Sequence, residues 1–244
     1  MSAIDTYYGK LSEIIRHVFE SQTEQMEAAA QRIAACFMQG HMLYTFGTGH
    51  AHLLSEELFY RAGGPAQVCP ILDERLMLHL SASASSQWER KSGYALEVLG
   101  RYGVQAGDVM IIISNSGRNA VPVEMALEAK QRGVYTIALT SLQHSGSVTP
   151  RNPAGRRLFE VADLVLDNGG VTGDAVVQAG DGRTVAPTST AVGSAMLQAI
   201  SARAEEIGRE KGQKLQYFMS SNVDGGDEYN EQLIELYRAR VPGL

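Results

Sequence analysis

The sequence predicts an α/β fold, a parallel β-sheet with helices on both faces. Three observations carry that expectation. Short apolar runs alternate along the chain with stretches of helical periodicity. One of the runs, Val109-Met110-Ile111-Ile112-Ile113, is continuous and mostly β-branched, as suits a strand buried on both faces. Two runs empty into small-residue turns, Gly47-Thr48-Gly49 and Ser114-Asn115-Ser116-Gly117, and a helical pattern follows each.

Composition supports a globular chain. Of 244 residues, 44% are hydrophobic and 20% charged, which excludes wholesale disorder. A chain of this length buries a core without help from a disulfide or a metal. The net charge of −6 argues against a dedicated nucleic-acid binder. Cys36 and Cys69 have apolar neighbours and no zinc spacing, so buried thiols in a reducing compartment are expected. The opening Met1-Ser2-Ala3-Ile4-Asp5 lacks a secretory pattern and no apolar run is long enough to span a bilayer. The expectation is a cytoplasmic protein without membrane contacts.

Taken in order, Ile4, Tyr8, Leu11, Ile15 and Val18 recur at helical spacing, and Met26, Ala30, Ile33 and Phe37 mark a second helix ending near Gly40. Residues 42–46 are a short strand. A helix is expected over 50–62, broken by Gly63-Gly64-Pro65, and a second strand over 66–72. The run Ser81-Ala82-Ser83-Ala84-Ser85-Ser86 reads as a mobile loop. A helix over 93–101, the strand 109–113, a helix over 120–132 and a strand over 134–139 come next. Residues 140–157 read as a polar loop, 164–166 as a strand and 171–187 as irregular. Helices over 188–211 and 229–239 close the chain. The expected organisation is an N-terminal helical extension serving dimerisation (1–40) and one α/β domain (41–244).

Ligands of open parallel sheets sit beyond the carboxyl ends of the strands. There, helix starts offer unpaired N–H groups and a positive dipole end, which suits a phosphate. Glycines let the backbone approach, and the hydroxyls of Thr48, Ser114 and Ser116 can donate to its oxygens. Neither turn is a dinucleotide fingerprint, since His52 stands where a third glycine belongs, and no Gly-Lys-Ser/Thr occurs. An anionic small molecule is the expected ligand.

These segments, with Pro187-Thr188-Ser189-Thr190 at the start of a late helix, resemble a sugar isomerase (SIS) domain over nearly the whole chain. The resemblance is nearest to a phosphosugar-binding group related to phosphoheptose isomerase, on residues 47–64, Thr140-Ser141-Leu142-Gln143-His144-Ser145 and Asn222-Val223-Asp224-Gly225-Gly226. It implies a flavodoxin-like three-layer sandwich with a five-stranded parallel sheet. It also implies a sugar phosphate held by the Ser-rich turn, in a homodimer or homotetramer with the site near the subunit interface. Ser114, Ser116 and Asn119 match the phosphate-cradling positions and Thr48 the first turn; Gly47, Gly49, Asn115, Gly117 and Arg118 complete the phosphate candidates. Thr140, Ser141, Thr188 and Ser189, in segments that carry the resemblance, are further substrate-binding candidates. Ala51 stands where the family usually has Ser, and residues 188–200 hold neither the His nor the Glu that phosphoheptose isomerases carry there.

The resemblance implies aldose–ketose isomerisation through an enediol, which needs a general base and a group that moves hydroxyl protons. The base candidates are Glu56 and Glu57, neighbours on the helix after the first turn, of which one should face the ligand. His50 and His52 in that turn are the proton-shuttle candidates. His79, Glu89 and Arg90 flank the small-residue segment, read as a lid, and His144 follows a strand; His79, Glu89 and His144 join the substrate-binding candidates. No metal or cofactor is expected. The alternatives are a non-catalytic phosphosugar sensor, or a lyase or etherase acting on an N-acetylmuramic-type sugar phosphate.

Overall fold

In the computed structural model, which describes residues 2–244, the chain opens with two helices, α1 (Ala3–Ser21) and α2 (Thr23–Met38). Ser2 caps α1 through a reciprocal box with Asp5. The strands β1 (Leu43–Gly47), β2 (Val68–Ile71), β3 (Val109–Ile113), β4 (Tyr135–Thr140) and β5 (Leu164–Asp167) form one sheet in the order β2-β1-β3-β4-β5. Every neighbouring pair is parallel. Connected to them are α3 (His52–Glu57), α4 (Leu78–Glu89), α5 (Tyr94–Leu99), α6 (Ala120–Gln131) and α7 (Leu142–Gly146). A hairpin of β6 (Ala175–Gln178) and β7 (Thr184–Pro187) leads into the long α8 (Ser189–Glu210), and α9 (Gly226–Tyr237) ends the fold. The expected five-stranded parallel α/β sandwich is the observed one.

The pleat sorts side chains into two cores. Tyr44, Phe46, Met110, Ile112 and Ala138 point to one face, where Tyr94, Val98, Leu99, Val121 and Met125 of α5 and α6 cover them. Leu43, Ile111, Ile113, Ile137 and Leu139 point to the other, beneath α2, α3 and α8. α2 lies along α8 and contributes Ala29, Ala30, Ile33 and Phe37 to this second core, so the N-terminal helices form part of its outer layer.

Four local expectations are corrected. Residues 81–86 are helical, within α4, apart from an extended Ser81. Alanine favours helix, and Trp88, its ring tilted against that of Tyr94 at 4.7 Å between centroids, ties the segment to the core despite its small polar side chains. Residues 171–187 hold the β6–β7 hairpin, whose strands are short and mostly unburied, so no apolar alternation announces them. Residues 140–157 contain α7, started by Ser141, whose side chain accepts from the His144 amide. The helix expected over 50–62 ends at Glu57, after a 3₁₀ turn over Gly49–Ala51.

Candidate functional site

The sheet order reverses direction between β1 and β3, which places a crevice beyond their carboxyl ends. A cleft of about 290 Å³ lies there, lined by Thr48, His50, Ala51 and Leu54 after β1, and by Ser114, Asn115, Ser116 and Asn119 after β3. Glu89 at the end of α4, His144 of α7, Asn168 after β5, and Gly173, Asp174, Ser189 and Thr190 at the entry to α8 complete the wall.

The two turns have different chemistry. Gly47 lets the first fold back on itself, since a Cβ there would lie 2.5 Å from the Ala51 carbonyl oxygen. Thr48 donates its hydroxyl to Glu89 at 2.8 Å, which puts a carboxylate against this turn. The second turn is rich in free donors. Ser114 Oγ accepts from the Gly117 amide at 3.2 Å, which leaves its O–H available. Ser116 is half-buried with no hydrogen bond to the protein. Asn119 is the N-cap residue of α6 but makes no cap bond, and its Oδ1 is buried without a partner. An uncapped twelve-residue helix therefore begins at the cleft wall, its first amides and dipole end open to an anion. Coulomb repulsion from Glu89 favours the second turn over the first for a phosphate.

Asn115 is oriented from below. The Gly170 amide can only donate, so the Asn168 Oδ1 it meets at 2.9 Å is the acceptor. The Nδ2 of Asn168 therefore faces Asn115 Oδ1, at 2.8 Å, and Asn115 is left with its own Nδ2 as a free donor. A similar deduction applies to His144. Its Nδ1 accepts from the Gly173 amide at 3.4 Å, which leaves Nε2 as the ring nitrogen without a protein partner. At the entry to α8, Asp174 sits in the left-handed region at φ 69° and accepts from the amides of Thr188 and Ser189 and from both hydroxyls. That carboxylate already caps α8.

The structure thus brings together Thr48, His50, Glu89, Ser114, Asn115, Ser116, Asn119, His144 and Ser189 from the sequence candidates. Gly47, Gly49 and Gly117 shape the turns behind the wall, the last two at positive φ. Thr140, Ser141 and Thr188 are fully buried and bond the Asn115 carbonyl, the Gly170 carbonyl and Asp174 respectively. The other candidates lie outside the wall. His52 is buried with Nδ1 on the Gly49 carbonyl, and His79 is exposed on α4. Glu56 is exposed, whereas Glu57 meets Arg61 and accepts from Ser194 and Gln198 of α8. The Arg118 guanidinium donates to Thr149 at 3.2 Å. Among the described residues no cluster of three His, Cys, Asp or Glu is placed to hold a metal.

Asn168 and Asp174 were not among the sequence candidates. A signal for Asn168 exists, because Asp167-Asn168-Gly169-Gly170 is a small-residue turn at a strand end, like the other two. Asp174 had none, lying in a segment without periodicity.

The fold and the crevice define a doubly wound α/β protein of the kind seen in sugar-phosphate isomerase structures. A phosphoheptose isomerase from Neisseria gonorrhoeae aligns over 84% of this chain and 97% of its own, at TM-score 0.53 and 17% identity. One from Francisella tularensis covers 83% and 96% at TM-score 0.54 and 12% identity. A protein of E. coli CFT073, in complex with a phosphosugar, covers 94% of both chains at TM-score 0.53 and 17% identity. The family model described as the SIS domain matches residues 6–141. A UPF0309 protein of Geobacillus thermodenitrificans (strain NG80-2) is 43% identical over 242 residues, spanning 99% of this chain and 97% of the relative. Another, from Oceanobacillus iheyensis, is 43% identical over 244 residues. The chain belongs to the SIS-domain family and, within it, groups with the UPF0309 proteins.

Proposed function

We propose that this protein binds a phosphorylated sugar in the cleft and interconverts its aldose and ketose forms by proton transfer through an enediol. The observation that carries the reading is the β3 turn. Ser114 and Ser116 present unused hydroxyl donors beside the uncapped start of α6, as a phosphate requires. Structural likeness to phosphoheptose isomerases and to a protein in complex with a phosphosugar supports the ligand class.

With the phosphate at the β3 turn, the sugar extends toward β1 and α4, where Glu89 is the cleft carboxylate not spent on capping a helix, as Asp174 is. Glu89 takes the proton from the carbon next to the carbonyl, and the electron pair moves onto the carbonyl oxygen to give the enediolate. Returning the proton to the adjacent carbon completes the exchange. Thr48, bonded to Glu89, holds the carboxylate in place. Nε2 of His144 and the exposed His50 serve the hydroxyl protons. Glu56 and Glu57 on α3, outside this wall, are the alternative bases.

Incubation with aldose and ketose phosphates in deuterated water tests this reading. Solvent deuterium should enter the sugar, and Glu89→Gln should slow entry by about 10²-fold or more while binding persists. Ser114→Ala with Ser116→Ala should abolish detectable binding. Binding without exchange would make the protein a sensor, and loss of an ether-linked side group during exchange would make it a lyase. Loss of exchange in Glu56→Gln or Glu57→Gln, but not in Glu89→Gln, would move the base to α3. Affinity unchanged by the double serine substitution would overturn the proposal.

A further inference from the structure

Most arginines of this chain are matched to a carboxylate. Among the described residues Arg16, Arg32, Arg90, Arg118, Arg151 and Arg156 have none within 4.0 Å. Three of these six are held together. The Arg151 amide donates to the Arg118 carbonyl at 2.7 Å. Asn152 Nδ2 donates both to that carbonyl, at 2.9 Å, and to the Arg156 carbonyl, at 2.8 Å. One carboxamide thus ties the backbone of the loop 147–157 to the start of α6.

The neighbouring carboxylate is bonded to a fourth arginine and makes no ion pair within 4.0 Å with these three. Glu160 is engaged by Arg157, with Oε1 at 3.0 Å from Nη2 and Oε2 accepting from the Arg157 amide. The Arg157 guanidinium also holds the Glu160 carboxyl below its ordinary range. Arg156 reaches only the Glu160 carbonyl, at 3.2 Å. The Nε of Arg118 and the Oδ1 of Asn152 are both buried without a partner. Guanidinium groups stay charged at any physiological pH, so in a chain of net charge −6 three of them spring from one tied stretch of backbone with no carboxylate within 4.0 Å.

The tied stretch adjoins the cleft. Asn119, in the cleft wall, follows Arg118 in sequence and pairs with Arg151 in a β-bridge. We propose that Arg118, Arg151 and Arg156 form a second anion-binding site beside the β3 turn, which takes a phosphate or carboxylate group. That group is either the second acidic group of a doubly anionic sugar phosphate or a free oxyanion. The first source rests on the function proposed above; the second does not.

Titration calorimetry separates the cases, with a hexose monophosphate, a hexose bisphosphate, a phosphorylated aldonic acid and inorganic phosphate as probes. Arg151→Gln with Arg156→Gln changes two exposed side chains. A second group on the same sugar should make the bisphosphate or the acid bind about tenfold more tightly than the monophosphate. A free oxyanion should appear instead as a second equivalent of inorganic phosphate per chain. In both cases the double variant should remove the gain, flatten its salt dependence and leave monophosphate affinity within about twofold. Equal affinity for all sugar probes together with a single phosphate equivalent, unchanged in the variant, would overturn the site. If no sugar phosphate binds, yet phosphate binding is lost in the arginine variant and kept in Ser114→Ala with Ser116→Ala, the proposed function fails and the arginine site stands.

Discussion

On the cleft floor, one amide proton sets the direction of two side chains. Gly170 donates to Asn168, Asn168 to Asn115, and Asn115 is left facing the cleft as a donor. Asn168→Ala removes the middle link, so Asn115 can turn its oxygen toward an anionic ligand. The expected outcome is about tenfold weaker binding of a sugar phosphate, measured by calorimetry, with an unchanged circular dichroism spectrum. Asn168→Asp should be at least as damaging, because a carboxylate cannot donate to Asn115 Oδ1. Ser116, which has no protein partner, should give the opposite pattern to a structural serine: Ser116→Ala weakens ligand binding and leaves the thermal midpoint within about 1 °C.

At the scale of elements, the starts of α6 and α8 make a matched contrast. Both face the cleft, yet α8 is capped by Asp174 and α6 is left open. Asp174→Ala should cost about 1–2 kcal/mol, the usual range for a lost cap, and lower the melting temperature by several degrees. Adding ligand should recover little of that loss, since the phosphate is assigned to α6. The turn after β1 answers to a steric rule. A Cβ at position 47 meets backbone rather than a movable side chain, so Gly47→Ala should both destabilise the fold and reduce ligand affinity. A melt that does not shift would show that the turn relaxes freely.

For the whole molecule, the two cores determine the response to alkali. Burial pushes the thiols of Cys36 and Cys69 up to about 12, with the Asp108 carboxylate adding to it. Burial also pushes the hydroxyls of Tyr217 and Tyr237 up to about 12. Groups whose folded pKa is raised contribute stability that is complete below their unfolded values and is lost as pH rises through the folded ones. Denaturation midpoints should hold steady to about pH 9 and then fall steadily toward pH 12. Cys36→Ala with Cys69→Ala should delay the onset of that fall. Both thiols should also resist alkylation at pH 8 in the native state and react at once on unfolding. Association belongs to this scale too. Exposed Leu53 and Leu142 flank the cleft, and light scattering should return a multiple of the 26.4 kDa chain mass if copies meet there.

What could be read from the chain alone was whatever is encoded locally. The β-branched run 109–113, the amphipathic periods of α1 and α2, and the Gly and Ser turns at the ends of β1 and β3 each follow from neighbouring residues, and they were sufficient for the sheet and for the end of it that carries the cleft. The helix over residues 78–89 escaped because its Ser-rich stretch has no apolar periodicity, and its anchor is Trp88 packing on Tyr94 of the next helix. The base proposed here, Glu89, stood in the sequence only as a substrate-binding candidate, because its place is set by packing between elements. Glu56 and Glu57 are closer in sequence to the first turn, but α3 directs Glu57 at α8, whereas α4 brings Glu89 back from forty-one positions away to bond Thr48. Sequence determined which turns could hold an anion, since that depends on glycine, hydroxyls and helix starts a few residues apart. Only the tertiary structure decided which acids, amides and arginines surround them, because those meet through packing between elements that no local pattern records.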